Sequence, residues 1–435
     1  ISDSLIAGKS YIIYHLTNFL IHLLTSIIIF LTFKKLGYSL IVSGLTALLF
    51  ALNPINTNAV GWIAGRGDLL AGFFSISALF IYLKVVKENK VFLLLLVSGL
   101  LFMGILSKEV SLLVPFLFLL FYFIEKKEFA LDKSSTTIFL VIFFVFTSYY
   151  LLRGVFLPEV HLDKFSFTAV SKNILVLPET ISKFFIPAGI KALPHIEYFT
   201  SITGIIVFIV LLLLPAKLKS INRLRYYFGL IWFSFLLIPG MVTRTMEQDG
   251  FYYWDSRSYL PLIGLLFVAV EILKVIESQK NRKQYFAVVI IYILILGTTT
   301  FLKIKWYENP ITFWTSVKAD YPNKFIPYVG LYNYFIHSRD FNKAEDQIVQ
   351  AIKIRPDEIN LRQLLINHYS ATKQYNKAFN VMKNTIYAKI PGYQNLVDNF
   401  ISICEKQKNT AELKNLKIYF ITDKGIVDKV NNIQK

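Results

Sequence analysis

The sequence predicts an all-α protein in two parts, a polytopic helical membrane domain followed by an α-solenoid of helical repeats. Three observations carry this. Mean hydropathy is +0.52, with 55% hydrophobic and 16% aromatic residues, a composition outside the range of ordinary soluble chains. Apolar residues gather into charge-poor stretches separated by short charged loops. Beyond residue 305 the composition turns polar and repeats with a period of 34 residues.

Taken in order, apolar helices are expected at about 11–33, 39–53, 68–84, 91–106, 110–124, 136–156, 198–214, 226–240, 258–274 and 285–302. Several are short for a hydrocarbon core of about 30 Å, which suits a cavity-bearing enzyme or transporter. Asn53-Pro54 ends the second. Alternate loops differ in charge. The loops 34–38, 84–90, 125–134, 215–225 and 274–284 hold 16 Lys/Arg in 44 residues, whereas 1–10, 53–67, 107–109, 153–197, 241–257 and 303–305 hold 12 in 93. The positive-inside rule makes the first set cytoplasmic and puts everything after residue 305 on the extracytoplasmic face. The net charge of +18 is therefore read as topology, and no nucleic-acid partner is expected. Residues 168–186, interrupted by Pro178, suit either an interfacial helix on the membrane or a helix packed over the bundle. The one cysteine, Cys404, rules out an intramolecular disulfide and a cysteine-rich zinc site. The chain starts at Ile1 rather than Met, so sequence upstream of it is expected. The domains are expected at 1–305 and 306–435.

The repeat is explicit in the residues. Pro322 and Pro356 are 34 apart, and Asp340-Phe341-Asn342-Lys343-Ala344 recurs as Gln374-Tyr375-Asn376-Lys377-Ala378 at the same offset. This is the tetratricopeptide-repeat period. Ala344 and Ala378 are expected to let paired helices approach, and Phe341 and Tyr375 to fill the seam between repeats. Two clear repeats need flanking helices to bury their faces.

Candidate chemistry collects in the second set of loops. Lys108 and Glu109 sit at the turn of a hairpin whose arms, Val91–Leu106 and Val110–Ile124, each reach only about 23 Å at about 1.5 Å per residue. With cytoplasmic anchors at both outer ends, the turn lies below the opposite interface. A charge pair there reads as a functional site or as a self-satisfied Lys–Glu pair at a thinned rim. Arg66, between Gly65 and Gly67, suits close approach to a phosphate, or anchoring at lipid headgroups. Asp68 is a natural N-cap for the following helix. His15, Asn18 and His22 share one face of the first helix and are expected to make interhelical hydrogen bonds. The two histidines are about 10 Å apart along the axis, which argues against a shared metal. Arg244, Arg257 and Tyr259 fall in or just after 241–257, as phosphate or sugar ligands or as helix caps, with Trp254 and Tyr259 alternatively in the aromatic belt. No nucleotide-binding glycine loop, HExxH or nucleophile elbow is present.

Several of these segments resemble one family. Tyr14-His15-Leu16-Thr17-Asn18 with His22 is similar to its YHLxN motif. Leu48 to Pro54, Asn58 to Trp62 and Gly65 to Ala71 resemble its LFAxHP, EAVxW and GRADLLA segments. Ser107-Lys108-Glu109 resembles its SKE turn, Arg257 to Pro261 its ERYLYLP run, and Trp306 to Asn309 its lead into the repeats. The family is the transmembrane and tetratricopeptide-repeat proteins, O-mannosyltransferase-like enzymes of the GT-C fold. Asn53 stands where it often has histidine, Asn58 where it has glutamate, and Ser256 and Ser258 alter the ERY pattern. The resemblance implies transfer of a sugar, mannose favoured, from a polyprenyl-phosphate carrier to protein Ser/Thr hydroxyls on the extracytoplasmic face. It places the essential acidic residues on a loop upstream of Ile1, after a helix that would be the first of eleven.

The expected mechanism is inverting transfer. A carboxylate accepts the hydroxyl proton, and positive charge stabilises the departing phosphate, with Lys108 and Arg66 first, then Arg257 or Arg244. Glu109 would orient Lys108 or Arg66. No cofactor is required by the sequence, and a divalent metal stays open. The partners implied are membrane lipid, the sugar donor and an acceptor peptide on the repeats. A bacterial inner membrane is favoured over the endoplasmic reticulum. The rival reading is a non-enzymatic membrane scaffold displaying repeats. A transporter would instead show paired inverted repeats and broken helices near the midplane.

Overall fold

The computed structural model describes residues 11–88, 91–126, 133–156, 170–171, 173–218, 220–242, 253–406 and 409–433. The protein is all-α, with no strand among these residues, and divides into two compact units, Ile1–Glu308 and Asn309–Lys435. The helices of the first unit are α1 (Tyr11–Lys35), α2 (Leu40–Ala51), α3 (Thr57–Gly61), α4 (Arg66–Glu88), α5 (Val91–Ser107), α6 (Val114–Lys126), α7 (Lys133–Phe156), α8 (Val176–Phe185), α9 (Tyr198–Lys217), α10 (Arg223–Leu237), α11 (Pro239–Val242), α12 (Tyr259–Glu277) and α13 (Arg282–Ile304). It is a multi-pass membrane architecture. Among the described residues six helices are long and apolar enough to cross a membrane, and a seventh span results if α2 and the segment Pro54–Gly61, bent by 42°, count as one. The hairpin arms are short, as the hydropathy indicated: α5 has 17 residues, and a 3-10 turn Glu109–Leu113 leads into α6, which has 13.

Helix α12 is the centre of this unit. Of its apolar stretch 83% is buried, against 11% for the longer α13, so α12 is surrounded by protein and α13 faces outward. Its closest neighbour is α10, and two glycines make that approach. A Cβ on Gly229 would lie 2.5 Å from the Gly264 carbonyl oxygen, and one on Gly264 would lie 2.6 Å from the Phe233 amide nitrogen. Small residues let helix backbones touch where lipid supplies no hydrophobic driving force. Trp232 Nε1 donates to the Leu260 carbonyl at 3.1 Å beside this crossing.

The segment expected at 168–186 is partly helical, as α8, and Pro178 lies within its first turn rather than interrupting it. Proline fits there because the first amides of a helix have no intrahelical partner. Val176 and Pro178 to Phe184 are buried, so α8 packs into the unit. The alternative of a helix lying on the membrane surface is corrected by that burial, since a monotopic helix keeps a wet face.

The second unit is a succession of helices: α14 (Pro310–Asp320), α15 (Ile326–His337), α16 (Phe341–Ile354), α17 (Ile359–Ala371), α18 (Tyr375–Tyr387), α19 (Gln394–Lys406), α20 (Thr410–Tyr419) and α21 (Lys424–Ile433). Neighbours in sequence pack on each other, as in a helical solenoid. Asn309 opens it with a reciprocal capping box to Thr312. The repeat extends to backbone conformation. Arg339 and Lys373, 34 residues apart, both take positive φ, at 61° and 60°, ending α15 and α17 in the same way. Ala344 and Ala378 are buried, but Phe341 and Tyr375 are 42% and 61% exposed. The seam expected of those aromatics is filled instead by Ile348, Leu365, Met382, Ile386 and Phe400. The aromatics open α16 and α18, and Phe341 keeps only a ring-edge contact, at 6.3 Å, with His368 of α17.

Two predictions follow from packing. Gly264→Ala should cost about 1–3 kcal/mol by overpacking, whereas Gly44→Ala, with nothing within 4 Å, should leave stability unchanged or raised; thermal unfolding of the solubilised protein separates them. In the second unit His368 is 2% exposed, and neither ring nitrogen makes a hydrogen bond. Burial lowers its pKa, Glu345 pulls it back up, and Lys377 adds to the lowering. The unfolded chain therefore binds the proton more readily, so this contribution to stability is complete above about pH 6.5 and is lost as pH falls below it. The Tm of His368→Phe should fall less between about pH 8 and about pH 5.5 than that of the parent.

Candidate functional site

The polar side chains singled out in the sequence gather where α1 begins, α4 begins, α5 turns into α6 and α12 begins. The backbone there is a chain of short turns: a 3-10 segment Pro54–Asn56, α3, a 3-10 segment Ile63–Gly65, and a further 3-10 segment Asp255–Ser258 leading into α12. Asparagines tie these turns together. Asn53 Oδ1 accepts from the Ile55 amide at 3.2 Å, and its Nδ2 donates to the Phe184 carbonyl at 3.0 Å. Asn58 Oδ1 accepts from the Ser256 amide at 3.0 Å, while its Nδ2 donates to Tyr307 Oη at 3.0 Å. Trp62 and Trp254 stack at 4.6 Å beside this joint. The amides at 53 and 58 both donate and accept at once. A histidine at 53 or a glutamate at 58 would bond differently.

The first helix supplies His15, Asn18 and His22. His15 reaches the Gly61 backbone. Asn18 is fully buried, with Nδ2 donating to the Val60 and Trp62 carbonyls at 3.2 and 3.3 Å. His22 bonds the Ala51 carbonyl through Nε2 at 3.1 Å and Tyr259 Oη through Nδ1 at 2.8 Å. A carbonyl only accepts, so Nε2 carries the hydrogen, and Nδ1 accepts from the tyrosine. Tyr259 is 0% exposed, and its ring lies against Gly72, where a Cβ would meet it at 2.6 Å. It is a packing residue of the helix interior. The expectations of a belt position and of a sugar contact at Tyr259 are both corrected by this burial.

Arg66 donates from Nε to Asn18 Oδ1 at 2.9 Å and from Nη2 to the Tyr14 carbonyl at 3.1 Å, with its guanidinium over the Tyr14 ring. Its glycine neighbours serve protein packing: a Cβ at Gly65 would lie 2.6 Å from the Ala59 carbonyl oxygen, and one at Gly67 3.0 Å from that of Ser107. Arg66 thus fastens α4 to α1, and the glycines serve these contacts rather than opening the backbone to a phosphate.

Lys108 does not pair as expected. Its Nζ lies 3.0 and 3.1 Å from the two carboxylate oxygens of Asp68, whereas Glu109 is exposed. The turn Ser107–Glu109 rests on the start of α4, and Asp68 is the nearer carboxylate. Asp68 is the third residue of that helix rather than its N-cap, placing its charge in the first turn, where the helix dipole favours it. The Asp68 side chain is 6% exposed and that of Lys108 34%, so the lysine is the accessible member of the pair. Arg257, partly exposed, stands over the Tyr253 ring at 5.9 Å. Burial raises the Tyr253 phenol pKa, Arg257 opposes this, and Asp68 and Asp255 add to it, so Tyr253 lies within the fields of both charge clusters. Arg244 lies outside the described residues.

The second cluster was not singled out from the sequence. Lys183 Nζ lies 3.2 Å from Asp255 Oδ1 and 3.4 Å from Glu179 Oε1, and all three side chains are at most 5% exposed. Thr200 and Ser201 hydroxyls donate to Glu179 Oε2 at 2.6 and 3.1 Å. Burial works to lower the Lys183 pKa, but Asp255 and Glu179 outweigh it and hold the ammonium above the usual lysine range. A cavity of about 10 Å³ adjoins the three, the room of about one water, and Asp255 Oδ2 makes no hydrogen bond. Glu179 and Lys183 stand one turn apart in a helix with no other charge, the one local signal that could have flagged them. Among the described residues no group of three His, Cys, Asp or Glu side chains could hold a metal ion.

Parts of the chain are similar to curated proteins. A stretch of 103 residues is 31% identical to protein O-mannosyl-transferase F38B6.6 of Caenorhabditis elegans, covering 23% of this chain and 14% of that protein. A stretch of 71 residues is 39% identical to protein O-mannosyl-transferase TMTC3 of Homo sapiens, covering 16% and 8%. One of 89 residues is 32% identical to protein O-mannosyl-transferase TMTC1 of Homo sapiens, covering 19% and 10%. The matched stretches span about a seventh or less of these relatives' own length. No family model and no solved structure matches the chain.

The two clusters should respond differently to loss of their lysine. Lys183→Met leaves two buried carboxylates facing one another and should cost about 3–5 kcal/mol. Lys108→Met removes a partly exposed pair and should cost at most about 1 kcal/mol. Adding Glu179→Gln and Asp255→Asn to Lys183→Met should recover part of the loss, read by thermal unfolding in detergent.

Proposed function

We propose that the chain belongs to a membrane glycosyltransferase. In this reading it moves a sugar, mannose first, from a polyprenyl-phosphate carrier to Ser/Thr hydroxyls of an acceptor protein on the extracytoplasmic face. The observation that carries it is Lys108: a cation fixed by Asp68 at the first turn of α4, yet with a third of its side chain accessible. The partial likeness to proteins named O-mannosyl-transferases supports the reaction class.

The chemistry asks for one bond made and one broken. The acceptor oxygen attacks the anomeric carbon, the bond from that carbon to the phosphate oxygen breaks, and the hydroxyl proton passes to a carboxylate. The family resemblance assigns that role to an acidic residue on an extracytoplasmic loop. The phosphate leaves with its negative charge, which Lys108 neutralises, with Arg257 next in line. Asp68 takes the orienting role first given to Glu109. Arg66 is bound into the helix contacts and acts by holding α1 and α4 together. The second unit, as a tetratricopeptide-like solenoid, holds the acceptor.

The test is transfer of labelled mannose from polyprenyl-phosphate-mannose to an envelope protein pool by the purified protein, with Lys108→Ala in parallel. Loss of one charge-stabilising donor should lower kcat about 10²–10³-fold in a variant that melts normally. Undiminished transfer would reduce Lys108 to a structural residue. Absence of label with mannose and with other carrier-linked sugars would favour the membrane-anchored repeat scaffold.

A further inference from the structure

The second unit keeps one face open that its packing does not use. The helices α15, α17 and α19 carry exposed, uncharged polar side chains at matching repeat positions. Asn333, Asn367 and Ser402 follow one another at 34 and 35 residues, and all three are exposed. Asn360 and Asn395, also exposed and 35 apart, form a second row in α17 and α19. The rows are seven residues apart, close to two full helical turns, so they share a face. Contacts hold these helices side by side. Tyr332 Oη donates to the Leu364 carbonyl at 3.3 Å, joining α15 to α17. A Cβ on Gly392, just before α19, would lie 3.3 Å from Ile359 Cγ2 at the start of α17.

Charge is nearly absent from these helices. Helix α15 contains no Asp, Glu, Lys or Arg, and α17 contains only Arg362, whose Nε and Nη2 donate to the Pro356 carbonyl at 3.2 and 2.8 Å. In α19, Asp398 pairs with Lys429 at 2.6 Å, and Glu405 and Lys406 come after Ser402 in the last turn. The intervening helices α16 and α18 instead carry four lysines and two acidic residues. A charged ligand therefore finds little counter-charge on α15 and α17. Side-chain amides, by contrast, donate and accept at once, as a peptide main chain does. Asn367 Oδ1 already accepts from Gln363 Nε2 at 2.9 Å, which fixes that amide in the row. Packed helices stand about 10 Å apart, and an extended chain rises about 3.3 Å per residue. Each step along the row thus matches about three residues of extended chain.

We propose that this face binds the main chain of an extended, uncharged peptide segment, with Asn333, Asn367 and Ser402 bonding its backbone at about every third residue. The inference rests on the reading of the second unit as the holder of the acceptor, and it names what is held: backbone rather than side chains. A segment of about seven residues reaches all three positions. Its Ser and Thr hydroxyls stay unbound by the unit and free to react. Selection is then by extended shape and lack of charge, so one unit serves acceptors of many sequences.

Fluorescence anisotropy of the purified full-length protein in detergent tests it, with no sugar donor present. The probe is a labelled, uncharged peptide of Ser, Thr and Val long enough to reach all three positions. Exchanging its Thr for Val should leave binding unchanged, whereas N-methylation along its length should abolish it, because the main-chain donors are gone. Asn333→Leu and Asn367→Leu should each weaken binding about fivefold, and together about twenty-fivefold, for about one hydrogen bond apiece. Asn342→Leu, also exposed but on α16, should change nothing. Absence of saturable binding, binding that survives N-methylation, or unchanged binding in the double variant would overturn the proposal. Displacement of the peptide by free mannose oligosaccharide would overturn it in favour of a sugar site. Should the double variant not fold, either single variant decides, since both positions are exposed. Binding weakened as expected in a protein that transfers no sugar would keep this inference and sink the transferase reading. Transfer by a protein whose variants all bind normally would do the reverse.

Discussion

The arrangement of the first unit depends on the touch of backbones at Gly229 and Gly264. With side chains at that crossing, α10 and α12 would stand apart, and α12 could not be enclosed on all faces. Enclosing it brings everything else into place. At its start, Tyr259 takes its bond to His22 of α1 and lies on Gly72 of α4. Just before it, Asp255 meets Lys183 of α8. Near its end, Glu271, fully buried, accepts from Tyr38 Oη and from the Asn222 amide. The central helix is thus tied at both ends by a buried carboxylate and at its middle by contact of backbones.

The loop end divides its cations by exposure. Lys183 is sealed among carboxylates and hydroxyls, so it holds α8 against the segment before α12. Lys108 is held by one carboxylate and remains reachable. Arg66 is committed to Asn18 and to the Tyr14 backbone. Ion pairs as buried as the first are poor net stabilisers, yet costly to break. Their value here is positional: the triad fixes the 3-10 turn Asp255–Ser258, which carries Arg257 and, through Asn58, meets Tyr307 of the next helix end.

Much of the architecture was legible because hydrophobicity in runs and a 34-residue period are local properties. The ten apolar helices and the succession of repeat helices follow from them. What was not legible depends on distance in the chain. Lys108 and Asp68 are 40 residues apart, and Lys183 and Asp255 are 72 apart; nothing in the local pattern tells which carboxylate a lysine will meet. The adjacent Glu109 was the natural partner on sequence grounds, yet the turn carries it outward. Phe341 and Tyr375 failed for a related reason: their period was right, but period does not say which face of the helix start is covered. Nor could composition separate α12 from α13. A membrane interior and a protein interior both accept leucine and valine, so a central helix and a peripheral one read alike.

That equivalence has a bearing on how the molecule is assembled in the bilayer. Helix α12 ends up surrounded by protein, but its two buried carboxylates stand before its first residue and within its last two turns, leaving Tyr259 to Val270 without a charge. With only the charges of its last two turns added, the whole helix is long and apolar enough to enter lipid. The bundle can then close around a helix already in place, exchanging lipid tails for side chains at little cost in hydrophobic energy. The carboxylates at its ends meet their partners last, near the interfaces where water is still at hand.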